Sequence, residues 1–190
     1  MPFKLTMRNL FLVPFLLLTA CSSGGFFSST SALEVHSMGL DRAVLRADCS
    51  TIVCTQGFAN GGDIWMTDIP MDDLVSGDFD TGQIIHLQLL WTPVSGKTPL
   101  ESTSTNLAIK QYIISNGAVG VYGGGGFCWP TGAPEKGISL YIEEANLSLQ
   151  NSNDNFNDLL SPASITGRVQ STPNNTIARQ IANAASLVSP

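Results

Sequence analysis

The stretch Ile113-Ile114-Ser115-Asn116-Gly117-Ala118-Val119-Gly120-Val121-Tyr122 decides the fold class. Asn-Gly sits between two apolar, β-branched runs. A type I′ turn needs φ > 0 at both central residues, and Asn-Gly is the pair that supplies it most readily. The stretch therefore predicts a β-hairpin, with strands at about 107–115 and 118–123.

The same period-2 pattern extends outward. Ile85, Leu87, Leu89 and Trp91 share one face of a strand over 83–91, with Ile84, His86, Gln88 and Leu90 on the other. From Ile138 to Gln150 the alternation slips. Ile138, Leu140 and Ile142 point one way, then Ala145, Leu147 and Leu149 take up the apolar face with opposite parity. A slip of one residue between two in-phase halves predicts a β-bulge at Glu143 and Glu144. Further strands are expected at 64–67 and 165–170. The segment 40–47 fits either helix or strand, and 156–160 a helical turn. One amphipathic helix is expected at 176–188, with Ile177, Ile181, Ala184, Ala185 and Val188 on one side and cap candidates in Pro173-Asn174-Asn175. These elements predict a mainly β fold, an antiparallel sandwich or partly closed barrel with one C-terminal amphipathic helix.

Composition narrows the function classes. Of 190 residues, 43% are hydrophobic and 13% charged, which excludes intrinsic disorder. The net charge of −6 excludes a nucleic-acid binder held by a basic surface. No apolar run reaches the roughly 20 residues of a spanning helix, which excludes a polytopic helical membrane protein.

The N-terminus carries an address. Lys4, Arg8 and the amino terminus precede a short apolar stretch from Leu10 to Leu18, interrupted by Pro14. That is the layout of a secretory signal, too short for a stable span. The stretch ends Leu18-Thr19-Ala20-Cys21. Over these first 21 residues the chain resembles the bacterial lipoproteins, whose signals end in a lipobox of this form. The resemblance implies a diacylglycerol on the Cys21 sulfur, cleavage after Ala20 and acylation of the new amine. It also implies an envelope location, and the Ser at position 22, where a retention Asp is absent, points to the outer membrane of a host that has one. One acyl chain binds a membrane only marginally, whereas two or three on one residue make a lasting anchor.

The organisation follows. Residues 1–20 read as a lipoprotein signal peptide and 21–31 as lipidated cysteine and Ser/Gly-rich tether. Residues 32–190 read as a single β-rich domain, long enough for one good core. Removing Lys4 and Arg8 leaves seven basic residues against fifteen acidic ones. Such a surface repels anionic headgroups, so the acyl chains on Cys21 are expected to hold the membrane.

Cys49, Cys54 and Cys128 remain beside Cys21. Export favours a disulfide among them, with buried free thiols as the alternative and Cys-x₄-Cys a poor match to zinc spacing. A Cys49–Cys54 bridge would contribute about 2 kcal/mol, and a long loop to Cys128 about 4.5 kcal/mol. Between Ala47 and Gly96 there is no Lys or Arg but seven aspartates, Asp48, Asp63, Asp68, Asp72, Asp73, Asp78 and Asp80. Asp78-Phe79-Asp80-Thr81-Gly82 faintly resembles a calcium loop, so Asp78 and Asp80 are candidate Ca²⁺ ligands, although the Gly and closing Glu of an EF-hand are missing. Turn-forming and helix-capping roles explain these aspartates equally, Asp72 and Asp73 after Pro70 above all. No other cofactor is called for.

Gly123-Gly124-Gly125-Gly126 followed by Phe127-Cys128-Trp129-Pro130 is the most unusual string. Four glycines allow close backbone approach. They read as a flexible turn or bulged strand end, or as a ligand- or partner-contacting loop anchored by Trp129. Pro130 rules against the helix a phosphate loop requires. Gly96-Lys97-Thr98 ends like a P-loop, but Trp91 stands where its first Gly belongs. No Gly-x-Ser-x-Gly, Ser-x-x-Lys or His-Glu-x-x-His occurs, and His36 and His86 are the two histidines. His86 lies inside a strand opposite the apolar face. The expectation is a non-enzymatic, lipid-anchored envelope protein that binds or scaffolds another protein. A calcium- or glycan-binding module using Trp65, Trp91 and Trp129 is the first alternative, and an envelope hydrolase the second.

Overall fold

The computed structural model describes residues 30–40, 42–56, 61–94, 96 and 104–190. The lipobox with Cys21, and Lys97-Thr98, lie outside these residues. In chain order the elements are β1 (Thr30–Ser37), β2 (Val44–Ala47), β3 (Thr51–Gln56), β4 (Gly62–Thr67), α1 (Met71–Ser76) and β5 (Thr81–Leu89). There follow β6 (Leu107–Ser115), β7 (Ala118–Ala133), β8 (Gly137–Ser152), β9 (Ala163–Gln170), β10 (Thr172–Pro173) and α2 (Asn175–Leu187). The strands form one ten-stranded sheet in the order β10-β3-β4-β5-β6-β7-β8-β9-β1-β2, curled into a half-barrel with the C-terminal helix outside it. The mainly β, partly closed expectation is met. Among the described residues no helix is long and apolar enough to cross a membrane.

The Asn-Gly reading holds at atomic level. β6 and β7 join through Asn116 (φ 51°) and Gly117 (φ 76°), the positive pair of a type I′ turn. The bulge holds as well. Phe127 pairs with Glu144 and Cys128 with Ile142, leaving Glu143 as the extra residue, so that Ile142 and Ala145 both reach the interior. Within the segment 40–47, Val44–Ala47 is strand, since Leu33 to His36 offer it a paired edge. The stretch 156–160 forms no helix; Asp158 instead organises it as a loop, its Oδ1 accepting from the Leu160 and Ser161 N–H groups. β1 begins at Thr30, inside the stretch read as tether, because Thr30 and Ser31 pair with Gln170 and Val169.

The glycine run is a correction. Gly123, Gly124, Gly125 and Gly126 form no loop but the middle of β7, paired with β6 on one side and β8 on the other. A Cβ on Gly124 would collide with the carbonyl oxygen of Asn146, one on Gly125 with that of Leu107 and one on Gly126 with that of Glu144. Neighbouring backbone fills the space of the missing side chains, the close approach that lets the sheet curl there. Past Gly126, β7 leaves β6 and continues on β8 alone to Ala133. The curl thus divides the sheet into two wings, β10-β3-β4-β5-β6 and β8-β9-β1-β2, with β7 running from one to the other.

The main core lies inside the curl. Leu33 and Val35, Ile52 and Cys54, Ile64 and Met66, Ile85 and Leu87, and Ile142 and Ile165 meet there from both wings. Polar stitches help close it. Ser171, between β9 and β10, bonds Ile138 through both its N–H and its hydroxyl. Gln83 Nε2 donates to the Arg46 carbonyl of β2 at 3.1 Å, and Gln111 Nε2 donates to Gln83 Oε1. A second core lies outside the first wing, where Val53, Ile84, Tyr112, Ile114 and Val121 are covered by α1 through Leu74 and by α2 through Ala178, Ile181, Ala184 and Ala185. Asn174 caps α2, its side chain accepting from the Ile177 N–H.

Candidate functional site

The outer faces of the two wings differ. Over the first wing the helices leave a half-covered polar group at their margin. Trp65 and His86 are register partners on β4 and β5, and their rings stack at 4.0 Å with an interplanar angle of 8°. His86 Nε2 lies 3.1 Å from Asp63 Oδ1, and both side chains are mostly buried. His36 pairs with the exposed Glu34. Carboxylates, rather than a Ser or Cys, are the partners these two imidazoles have.

Among the described residues no helix packs on the second wing. Its outward residues from β7 to β1 are set by register. Thr131, Ser139, Gln170 and Thr30 form one cross-strand row, and Trp129, Tyr141, Arg168 and Ala32 form the next. Arg168 lies over the Tyr141 ring at 5.2 Å. Trp129 Nε1 donates to Glu143 Oε2 at 3.2 Å, so the bulge aims its extra carboxylate at the indole. Phe127 meets Trp129 edge to face at 5.0 Å and Trp91 at 6.2 Å. Trp91 Nε1 donates to the Thr105 carbonyl. Trp91, Trp129 and Tyr141 stay 36%, 39% and 43% exposed. A shallow depression of about 340 Å³ runs along both rows, with Trp129, Tyr141 and Arg168 on its aromatic side and Thr30, Ser139 and Gln170 on its polar side. Flat rings with polar tips, a delocalised cation and hydroxyls at the margin suit an amphipathic ligand or surface.

The other sequence candidates lie apart from this face. Asp78 and Asp80 sit between α1 and β5, where the Asp80 carbonyl accepts from the Gly117 N–H. Among the described residues no three His, Cys, Asp or Glu side chains gather as a metal site. Asp72 and Asp73 occupy the first turn of α1, and Asp68 Oδ1 accepts from the Gln83 N–H. Cys49, Cys54 and Cys128 are free thiols in the structure, Cys54 and Cys128 buried and Cys49 partly so. Burial pushes the Cys49 thiol up to about 12, aided by Asp68 and Asp48. Burial also carries Cys128 to about 12 against a hydrogen bond with Asn106. Thiols raised this far stay protonated at neutral pH.

Sequence reasoning singled out Trp91 and Trp129 but missed Tyr141 and Arg168. The signal lay in outward parity: Tyr141 falls between the inward Leu140 and Ile142, and Arg168 next to the inward Val169. Comparison with protein-family models, curated proteins and solved structures returns no match for this chain.

Proposed function

We propose that this protein is a lipid-anchored lipoprotein of the cell envelope, non-enzymatic, whose half-barrel serves as a binding or scaffolding domain for an envelope protein. One observation carries the reading: Leu18-Thr19-Ala20-Cys21 closes a short apolar stretch and is followed by Ser22-Ser23-Gly24-Gly25 ahead of the folded domain. Acyl chains on Cys21 supply the membrane affinity that an acidic domain lacks. The outer membrane is the proposed site in a host that has one.

Intact-mass measurement on protein from native membranes tests the anchor. A species that starts at Cys21 and carries acyl mass supports it; a soluble or uncleaved species, or an unchanged mass in Cys21→Ala, contradicts it. Crosslinking in intact cells tests the partner, and a discrete complex is expected. A saccharide-binding module is the second reading, favoured by the flat Trp129–Tyr141 surface beside Arg168 and the hydroxyls of Thr30 and Ser139.

A further inference from the structure

We infer that the aromatic outer face of the second wing rests on the lipid headgroup layer when the protein is anchored, so that the domain has one orientation at the membrane. The inference deepens the lipoprotein reading and rests on it.

Two independent observations meet at this face. The first is its chemistry. Trp91, just past β5, Phe127 and Trp129 make successive ring contacts, Tyr141 is the cross-strand partner of Trp129, the Trp N–H groups are bonded, and Arg168 adds a cation. Amphipathic rings of Trp and Tyr favour the membrane–water interface, where one end is apolar and the other wet. Arg can pair with lipid phosphate while its stem lies on apolar surface. The second observation is the place where the chain enters the domain. Thr30, the first residue of β1, lines the same depression as Trp129, Tyr141 and Arg168. Alternation places Thr30 on the outward face, since Leu33 and Val35 of the same strand point into the core.

Eight residues separate Cys21 from Thr30. An extended chain advances about 3.3 Å per residue, so the lipid-bearing sulfur lies within about 30 Å of the domain. That reach permits several orientations. The face at which the chain enters is the one that touches the bilayer with the shortest tether, and it is the face that carries interfacial aromatics. The first wing then turns its helices α1 and α2 away from the membrane, since the two outer faces lie on opposite sides of the shared core. The contact is with a zwitterionic surface. Excess acidic charge on the chain, with Glu143 beside Trp129, disfavours anionic lipid.

The test uses the acylated full chain reconstituted into phosphatidylcholine vesicles that contain spin-labelled phosphatidylcholine quenching at headgroup depth. Flotation and intact mass report the anchor separately. The expected result is quenching of tryptophan fluorescence by the labelled lipid and protection of the same signal from aqueous acrylamide. Both effects are lost in a Trp91→Phe/Trp129→Phe variant, which keeps only the half-buried Trp65 and still floats. Protein that carries acyl mass and floats, yet is unquenched by lipid and open to acrylamide, overturns the docking and leaves the anchor standing. Protein without acyl mass overturns both. Protection conferred by a soluble oligosaccharide instead of the vesicles overturns the docking in favour of the saccharide reading.

Discussion

The outer faces of the two wings are built on the same alternation, yet among the described residues one is covered by helices and the other is not. On the first wing the outward residues include Val53, Ile84, Tyr112 and Ile114, which α1 and α2 bury, with Trp65 and His86 at the margin. On the second wing the outward positions include Thr30, Ser139, Gln170, Thr166 and Arg168, and Val44 on β2, with the aromatics Phe127, Trp129 and Tyr141 gathered on β7 and β8. The aliphatic cluster outside the sheet lies where the helices cover it. On the other wing Val44 is the exposed aliphatic of β2, the aromatics gather on β7 and β8, and the indole of Trp129 and the ring of Tyr141 each meet a polar or charged group. The difference is what the proposed membrane docking requires: apolar side chains packed under helices on one face, and on the other aromatics with polar tips left open to a surface both apolar and wet.

The largest expected effect falls on the hinge between the wings. Gly124→Ala would set a methyl group against the Asn146 carbonyl, in a run where both neighbouring strands are already paired. A loss of about 3 kcal/mol or more is expected, read by denaturant unfolding. A near-neutral Gly124→Ala would break the account of how the wings separate. Next comes the covered face. Ile181→Ala removes a fully buried side chain of α2 and is expected to cost about 2–4 kcal/mol. On the bare face, Trp129→Ala is expected to cost under about 1 kcal/mol, because the ring is partly exposed and its polar partner is solvent-accessible. A cost equal to that of Ile181→Ala would make the aromatic band a structural feature and erase the contrast.

A smaller effect concerns acid. Burial raises the Asp158 carboxyl, but hydrogen bonds from the Tyr122 hydroxyl, Ser161 and Leu160 outweigh it and hold the group below its ordinary value. Burial, with the same Asp158 contact, pushes the Tyr122 phenol above its usual range. A carboxyl depressed in the fold contributes stability that is fully present above the unfolded value of about 3.9 and is lost as pH falls through the folded value. Asp158→Asn is therefore expected to flatten the acid limb of the stability curve below about pH 4 and to leave its slope near pH 7 unchanged. The smallest effect is on the thiols. Cys54 and Cys128 should resist maleimide in the folded protein, and a reductant should leave Tm unchanged. A reductant-sensitive Tm would restore a disulfide.

Much of this was legible in the chain because it is local. Asn116-Gly117 carries its own turn geometry, Asn174 its own cap, and the parity slip at Glu143-Glu144 shows within thirteen residues. The glycine run misled because glycine is disfavoured in strands and has no side chain to show a period of two. Its role appears only against Asn146, Leu107 and Glu144, residues brought up by pairing. Closure by Ser171 and Gln83 is equally non-local. The aromatic face lay in between: Trp129 could be picked out, but Tyr141 and Arg168 join it only once the register of three strands is fixed.

The most direct test of the two-faced account is hydroxyl-radical footprinting of the protein in native membranes, compared with the detergent-released protein. The account predicts that Trp91, Trp129 and Tyr141 are protected on the membrane while Val75, exposed on α1, is modified equally in both states. Equal modification of the aromatic band in the two states, or protection of Val75 in its place, would contradict it.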